Sequence, residues 1–248
     1  MQPSTWTVER HATVTSTMDV AKERARAGAP HGTVVVAEEM TGGRGTHGRP
    51  WLAPPGGLYL SIVLRGLQDP HLLTLALGNA VAATLEVAGV DPRLKWVNDV
   101  HLGDERGGLG RKVAGILVEA ESTGSRLDFL VAGIGVNVNG KSSALPGLEQ
   151  AATTLEDQLG CDSCIPDLEA LLLAEVDKAV ALARDGRSAE IVADFRRRDA
   201  LKGRRVRVAN GTQVVDGTAE GVDDQGRLLV AAAEGVKRLS SGTVQVLG

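Results

Sequence analysis

Apolar and polar positions follow two different periods along the first two hundred residues of this chain. Short β-branched or alternating runs predict six strands of one sheet. They cover 5–14, 32–40, 58–64, 94–96, 112–122 and 126–138. Apolar residues at helical spacing predict one helix over 70–88, a long one behind Pro166 and a shorter one at about 187–199. The sequence Ser16-Thr17-Met18-Asp19 resembles a hydroxyl cap with an acidic residue three positions later, which predicts a helix that Gly28 closes.

The pattern changes near residue 200. From Gly203 onward, short strands alternate with turns such as Asn210-Gly211, which is typical of a small β-barrel or sandwich. About 48 residues are few for independent stability, so we expect this part to dock on the rest of the chain. The sequence therefore predicts two domains, 1–199 and 200–248.

Composition narrows the class of protein. Hydrophobic residues make up 43% of the 248, enough for a full core, and the net charge of −4 argues against a general nucleic-acid-binding surface. We expect no membrane span and no secretory leader, because no apolar run has the length or flanks of either. Cys161 and Cys164 are the only cysteines, so a reducing compartment, the cytoplasm, is expected. Their spacing lacks a second ligand pair, which favours an incidental pair over a zinc or redox site.

Two of the three tryptophans stand in polar, glycine-punctuated segments, although aromatic residues are only 2% of the chain. Trp51 ends GGRGTHGRPW (42–51), and Trp96 belongs to KWVNDV (95–100). Flat rings beside fixed positive charge suit a ligand with a ring and an anionic part. The glycines let backbone N–H groups approach an anion, and the arginines neutralise it. Taken alone, 42–51 would be interpreted as a flexible surface loop. Its position after a buried strand, with Trp51 at its end, favours a ligand-binding loop instead.

Charged side chains in two further segments have both an ordinary and a functional interpretation. In KWVNDV, Lys95 suits a phosphate, and Asn98 and Asp99 suit Mg²⁺ or a ribose hydroxyl, yet the same residues form an ordinary turn between strands. Lys112 is the third residue of GRKVAGILVE (110–119) and leads into an apolar strand. A lysine there is most often a surface residue whose alkyl chain lies along apolar surface while its ammonium stays in water. The small residues beside it leave space for a ligand on the strand.

Four motifs in the same order, with GIGVNVN (133–139) as the last, resemble the biotin–protein ligases. The usual forms in that family are GRGRRGRxW, KWPNDI, KxAGILVE and GxGxNVN. The resemblance implies an α/β fold with a mixed, mostly antiparallel sheet like that of class II synthetases, followed by a small SH3-like barrel. It also implies formation of biotinyl-5′-AMP from biotin and MgATP, and transfer of the biotinyl group to a lysine of a biotin carboxyl carrier protein of acetyl-CoA carboxylase or a related carboxylase.

The family's functional residues map onto this chain as follows. The resemblance gives Lys112 and Arg44 as catalytic residues and Asp99 as a Mg²⁺ ligand. It places biotin against Ser16, Thr17, Met18, Met40, Thr41, Gly43, Arg44, Gly45, Thr46, Trp51, Lys112 and Gly115. It places ATP against Thr46, Arg49, Trp51, Lys95, Asn98, Asp99, Lys112 and Asn137. In the family, the lysine that matches Lys112 touches the oxygens where negative charge develops during adenylation.

Four positions depart from the family pattern. Met18 replaces an asparagine, Met40 a common glutamine and Thr46 a common arginine, so three polar or charged groups expected near biotin or its adenylate are missing. Val97 stands where proline is usual. Val97 softens the turn but removes no chemical group. We expect the other three changes to weaken ligand affinity and retention without changing the fold.

Other interpretations remain open. A lipoate–protein ligase is related in fold, and a biotin-sensing regulator would need no catalysis. Trp6 already lies on the first predicted strand, which leaves no room for a DNA-reading module, so no nucleic-acid partner is expected. A homodimer is left open. We read the basic residues at the junction as a solvated surface, with an acidic protein partner as the alternative: Arg196–Arg198, Lys202, Arg204, Arg205 and Arg207. Residues 103–110 are expected to form an exposed hairpin loop without an assigned role.

Overall fold

The computed structural model describes residues 6–67, 69–103, 108–144, 147 and 151–247. The sequence around Pro146, before the helix behind Pro166, also predicts a loop. Pro146 and the centre of the predicted 103–110 hairpin loop lie outside the described residues.

A seven-stranded sheet forms the larger part of the molecule. Its strands are β1 (Thr7–Val14), β2 (Thr33–Met40), β3 (Leu58–Leu64), β4 (Pro92–Lys95), β5 (Asp99–Leu102), β6 (Arg111–Thr123) and β7 (Arg126–Val136). They are ordered β1-β2-β3-β7-β6-β5-β4. Only the β1–β2 pair is parallel within this sheet of described strands, which confirms the expected mixed, mostly antiparallel arrangement.

Strand β5 was not predicted. It pairs with β4 in a tight hairpin whose register sets Lys95 opposite Asp99. Four residues are too short a run for alternation to be recognised, and the polar residues at the turn hide the strand that follows. The pairing with β6 then fixes the position of Asp99 beside Gly115.

Helices cover the two faces of the sheet unequally. They are α1 (Thr17–Arg26), α2 (Pro70–Val87), α3 (Leu155–Leu159), α4 (Ile165–Arg184) and α5 (Ser188–Arg197). Successive residues of a strand point to opposite faces of the sheet, so each strand contributes side chains to both helical layers. Val34 and Ile62 join the core shared with α2, α4 and α5, whereas Val35 and Val63 pack on α1. Among the described residues, no helix is both long and apolar enough to cross a membrane.

The start of α1 corrects the predicted hydroxyl cap. Ser16 occupies the N-cap position, but its side chain makes no capping hydrogen bond. The Thr17 hydroxyl instead accepts a hydrogen bond from Ser61, and Asp19 pairs with Arg44. Tertiary partners therefore replace the local capping bonds. The helix ends as predicted, before Gly28 at φ +92°.

Five further strands form a second, antiparallel sheet. They are β8 (Arg205–Asn210), β9 (Gln213–Val222), β10 (Leu228–Ala232), β11 (Gly235–Leu239) and β12 (Thr243–Val246), ordered β11-β10-β9-β8-β12. Their buried side chains join the same core as α2 and α5. The Ala200 N–H donates to the Leu94 carbonyl (2.9 Å), which attaches the junction to edge strand β4. The division at 199/200 stays a prediction.

Candidate active site

A cavity of about 250 Å³ opens on the α1 side of the large sheet. Gly115 on β6 and Gly135 on β7 are register partners, and Gly133 pairs with Leu117 two residues further along. These glycines are required by close packing. A Cβ on Gly135 would lie 2.8 Å from the Trp51 ring, and one on Gly133 would lie 2.8 Å from the Met18 sulfur. The glycine backbone therefore lets the Trp51 ring and the Met18 side chain lie directly on the sheet at the floor of the cavity.

The glycine-rich loop 42–51 closes one side of the cavity. It is folded on itself, because the Trp51 N–H donates to the Gly43 carbonyl (2.9 Å) and the Gly45 N–H donates to the Arg49 carbonyl (2.7 Å). Arg44 crosses to α1, where its Nη1 lies 2.8 Å from Asp19 Oδ2. The loop thus brings arginine side chains and the Trp51 ring to the mouth of the cavity.

Lys112 lies at the charged end of the cavity. Its Nζ is 2.5 Å from Asp99 Oδ1 and 5.1 Å from the centre of the Trp51 ring. Its backbone is held on the outer side as well, since the Lys112 N–H donates to Ala151 and the Lys112 carbonyl accepts from Thr153, both at 2.9 Å. The backbone of Lys112 is therefore fixed while its long side chain can still move. This suits a group that must reach a reacting atom.

Asp99 is buried between two ammonium groups. Lys95 Nζ lies 3.8 Å from Asp99 Oδ2, on the opposite oxygen from Lys112. Burial alone would raise the pKa of Asp99, but the attraction and hydrogen bond of Lys112, with Lys95, hold that pKa below its usual value. Burial also lowers the pKa of Lys95, against the opposing effect of Asp99. The trio carries a net positive charge, so it favours an anionic ligand.

The two asparagines of the motifs use their amide N–H groups on the protein. Asn98 Nδ2 donates to the Ile116 carbonyl (2.9 Å), and Asn137 Nδ2 donates to the Thr153 carbonyl (3.1 Å). Both residues line the cavity. Their side chains are therefore fixed in position, and Asn137 can offer a ligand its carbonyl oxygen and its second amide hydrogen.

The structure brings together most of the residues that the sequence predicts for the site. Those that line the cavity are Ser16, Thr17, Met18, Met40, Arg44, Gly45, Thr46, Arg49, Trp51, Asn98, Lys112, Gly115 and Asn137. Four predicted residues are not part of the lining: Thr41, Gly43, Lys95 and Asp99. Gly43 lies behind Trp51, where a Cβ would be 2.6 Å from the Trp51 carbonyl oxygen. Asp99 reaches the site through Lys112.

Several lining residues were missed. The apolar ones on strands are Leu60, Ile116, Leu117 and Ile134, and two alanines, Ala151 and Ala152, come from the segment before α3. Alternation along VAGILVE could have identified Leu117, because it shares a face with Gly115. Alternation would have assigned Ile116 and Ile134 to the opposite face, where they join the main core with Leu60. The alanines carry no chemical group by which a sequence could single them out.

Trp96 does not belong with Trp51. It is 3% exposed, and its Nε1 donates to the carbonyl of Gly226, in the turn between β9 and β10 of the second sheet (3.0 Å). His71 on α2 meets the same carbonyl oxygen at 2.9 Å. The expectation that both rings serve a ligand is therefore wrong for Trp96, which instead joins the two sheets. The polar residues beside Trp96 in the sequence therefore did not indicate its surroundings in the structure, where the ring is buried.

Two other polar features of the sequence stay outside the site. Cys161 and Cys164 are exposed free thiols, and the described residues hold no group of three or more His, Cys, Asp or Glu arranged for a metal. Four arginines of the basic junction pair with carboxylates: Arg196, Arg197, Arg198 and Arg207. Arg196, Arg197 and Arg207 are exposed, which supports the interpretation of a solvated junction. The expectation is wrong for Arg198, which is buried between Glu86 and Asp194.

Comparison with known proteins explains this arrangement. Residues 11–137 match the Biotin/lipoate A/B protein ligase family, and residues 202–247 match the Biotin protein ligase C terminal domain. The chain belongs to the biotin protein ligase family. The biotin--[acetyl-CoA-carboxylase] ligase of Mycobacterium tuberculosis is 36% identical over 235 residues, which cover 89% of this chain and 82% of that protein. The resemblance found in the sequence is thereby confirmed.

Other members of the family agree in sequence and in structure. The bifunctional ligase/repressor BirA of Bacillus subtilis is 31% identical over 244 residues, covering 95% of this chain and 73% of that protein. The solved structure of a biotin protein ligase from Aquifex aeolicus, in complex with biotin and ATP, superposes with a TM-score of 0.84 at 28% identity. That match covers 97% of this chain and 98% of the other, so both sheets share the family fold.

Proposed function

We propose that the chain joins biotin to protein in two steps. Biotin and MgATP give biotinyl-5′-AMP and pyrophosphate, and the biotinyl group then passes to a lysine amine while AMP leaves. One observation carries this proposal: a largely apolar cavity ends at Lys112, which is paired with Asp99, and Asp99 in turn lies beside Lys95. An apolar chain suits the lining of this cavity, and its carboxylate meets the positive charge of Lys112.

The first step needs alignment and charge neutralisation more than proton transfer. A carboxylate oxygen of biotin attacks the α-phosphorus, and the bond from that phosphorus to the bridging oxygen breaks as pyrophosphate leaves. Lys112 is held by Asp99 until ligand arrives, and its ammonium can then turn to the oxygens on which charge develops. Because Asp99 is already paired with Lys95, its carboxylate keeps a counter-charge after that movement.

The loop supplies the second proposed catalytic group. Arg44 lines the cavity while its guanidinium is paired with Asp19, and Arg49 is held by the Thr46 side chain (2.9 Å). Thr46 thus accepts a hydrogen bond from Arg49. Thr46 itself stands at the loop position where the family commonly has an arginine. We assign the phosphate side of the site to Arg49, Lys95 and Asn137, and the biotin side to Ser16, Thr17 and the glycine floor.

Magnesium enters this proposal as part of the nucleotide substrate. Mg²⁺ binds few protein carboxylates and keeps phosphate oxygens and waters as its other ligands. Asp99 offers one carboxylate near the site, and its two oxygens already face lysines. The residues therefore fit a metal held mainly by the triphosphate, with Asp99 as the expected protein ligand.

The acceptor is proposed from chemistry and from relatives. A relative with 36% identity is named for acetyl-CoA carboxylase, so we propose a biotin carboxyl carrier domain of that enzyme or a related carboxylase as partner. A cytoplasmic location, a homodimer and the lack of a nucleic-acid partner remain proposals.

One assay separates biotin from the lipoate alternative. Labelled pyrophosphate should exchange into ATP when biotin is added, and neither lipoate nor octanoate should support comparable exchange. The match of 202–247 to the biotin protein ligase C-terminal domain favours this outcome. Faster exchange with lipoate or octanoate than with biotin would show that the cavity serves another acid.

A further inference from the structure

Ser61 is a fully buried polar residue in the middle of an apolar strand. It lies on β3 between Leu60 and Ile62, with 0% exposure. Its hydroxyl donates to Thr17 Oγ1 at 2.8 Å, at the first turn of α1. Thr17 lines the cavity, whereas Ser61 lies behind it. Ser61 has a polar function here, because an apolar residue would fill the same place at lower cost in desolvation.

The bond from Ser61 determines what Thr17 can do. A hydroxyl has one hydrogen to donate, and the Thr17 oxygen already accepts the hydrogen of Ser61. The Thr17 hydrogen is therefore turned away from Ser61, toward the Met40 sulfur at 3.5 Å, and the Thr17 backbone N–H reaches the same sulfur at 3.4 Å. A thioether is a weak acceptor, so a ligand carbonyl oxygen would replace it with a gain in free energy.

This donor lies at the uncharged end of the cavity. Lys112 packs against Gly115, whose partner on β7 is Gly135, while Met18 packs over Gly133. Two residues along a strand span about 7 Å, which separates the charged end from the Thr17 end by the length of a short acyl chain. An acid with its carboxylate at Lys112 therefore places its head group among Thr17, Met18 and Met40.

We propose that Ser61 is a positioning residue that fixes Thr17 as a hydrogen-bond donor, and so selects acids whose head group carries a carbonyl acceptor. For biotin, that acceptor is the oxygen of its cyclic urea. This inference rests on the proposed function. Met18 and Met40 increase this selectivity. When the head group has no acceptor, the Thr17 hydroxyl keeps only the weak Met40 sulfur as its partner in an apolar pocket.

The test compares two acids in two variants. Ser61→Ala should raise the KM for biotin about five- to tenfold in pyrophosphate exchange while leaving kcat within twofold, as expected for loss of one uniform binding contact. Its inhibition constant for octanoate, measured by competition with biotin, should stay within twofold. Ser61→Cys, which keeps a weak donor, should lie between the wild type and Ser61→Ala.

Two controls distinguish positioning from a loss of packing. Thr84→Val removes another buried hydroxyl, bonded to the Ala80 carbonyl on α2, and should change neither constant. In a Thr17→Val background, Ser61→Ala should have no further effect on biotin. An equal change for biotin and octanoate, or a full Ser61→Ala effect without the Thr17 hydroxyl, would overturn the inference. A wild type that does not use biotin would refute the proposed function instead.

Discussion

The arrangement of Lys112, Asp99 and Lys95 is the residue-scale centre of this account. The sequence predicts all three as site residues from their motifs, but the ion pairs among them depend on the β4–β5 hairpin and could not be read from spacing. Likewise, Met18 and Met40 are recognisable as substitutions, whereas the Ser61–Thr17–Met40 chain of contacts exists only once β3 lies beside α1.

The first prediction concerns Lys112. Lys112→Ala should slow single-turnover formation of biotinyl-AMP by roughly 10²–10³-fold, because it removes the cation that meets the developing charge. Folding should persist, since the side chain is partly exposed and Asp99 keeps Lys95 as a partner. Lys178→Ala, at an exposed α4 position, serves as the control. Unchanged adenylation in Lys112→Ala would remove the catalytic role.

The second prediction concerns Thr46. Thr46→Arg should slow dissociation of biotinyl-AMP about ten- to a hundredfold, because a charge-assisted bond contributes roughly 1.5–3 kcal/mol. The off-rate can be followed by chasing bound adenylate with excess biotin. Thr46→Val tests the other possibility, that the Thr46 contact orients Arg49 as the replacement. An unchanged or faster off-rate in Thr46→Arg would mean that Arg49 already fills this role.

At the scale of elements, long periodic segments were predictable and short ones were not. The helices behind Pro166 and over 70–88 and the two long strands of the β6–β7 hairpin are found as predicted. Strand β5 and helix α3, of four and five residues, were missed because neither covers more than two repeats of its period. The loop 42–51 was located by its glycines, but its contact with α1 through Asp19 was not.

The third prediction concerns order in that loop. The Arg44–Asp19 pair is exposed on both sides, so it holds the loop only weakly. Amide hydrogen exchange at 42–50 should therefore be fast in the free protein and slow at least tenfold when biotin and ATP bind. Exchange at 70–87 serves as the internal reference. Equal protection of the loop in both states would contradict ligand-induced ordering.

At the scale of the whole molecule, the two sheets share one core. The Gly226 carbonyl accepts from Trp96 and faces His71, and Arg196 donates to the Val222 carbonyl at 2.9 Å. The sequence predicts a second unit that docks, but the identity of the docking residues depends on three-dimensional neighbours. Trp96 shows this most clearly, since its flanking charges suggested a ligand and its ring lies between the sheets.

The fourth prediction concerns Asp199 at the junction. Its Oδ1 accepts from the Leu201 N–H (2.8 Å), while its buried Oδ2 has no hydrogen-bond partner among the described residues. Burial raises the pKa of Asp199 above its ordinary value. The free energy of unfolding therefore falls as the pH rises through that pKa. At neutral pH the folded state still carries the cost of burying the charged carboxylate.

Asp199→Asn removes the charge and retains the acceptor for Leu201. The variant should be more stable than the wild type at pH 7, by about 1 kcal/mol or roughly 2–4 °C in thermal midpoint. The difference should shrink as the pH falls through the raised pKa of Asp199, because the wild-type carboxyl is then protonated in the folded state. A variant less stable than the wild type at pH 7 would show that the charge is satisfied.

Transfer of biotin to a carrier tests the central claim most directly. The chain, biotin and MgATP are incubated with the carrier domain of acetyl-CoA carboxylase, and the intact mass of the carrier is measured. We predict a gain of one biotinyl group that requires all three components and is lost when the target lysine is replaced by arginine. A carrier that stays unmodified while biotinyl-AMP accumulates would contradict the account.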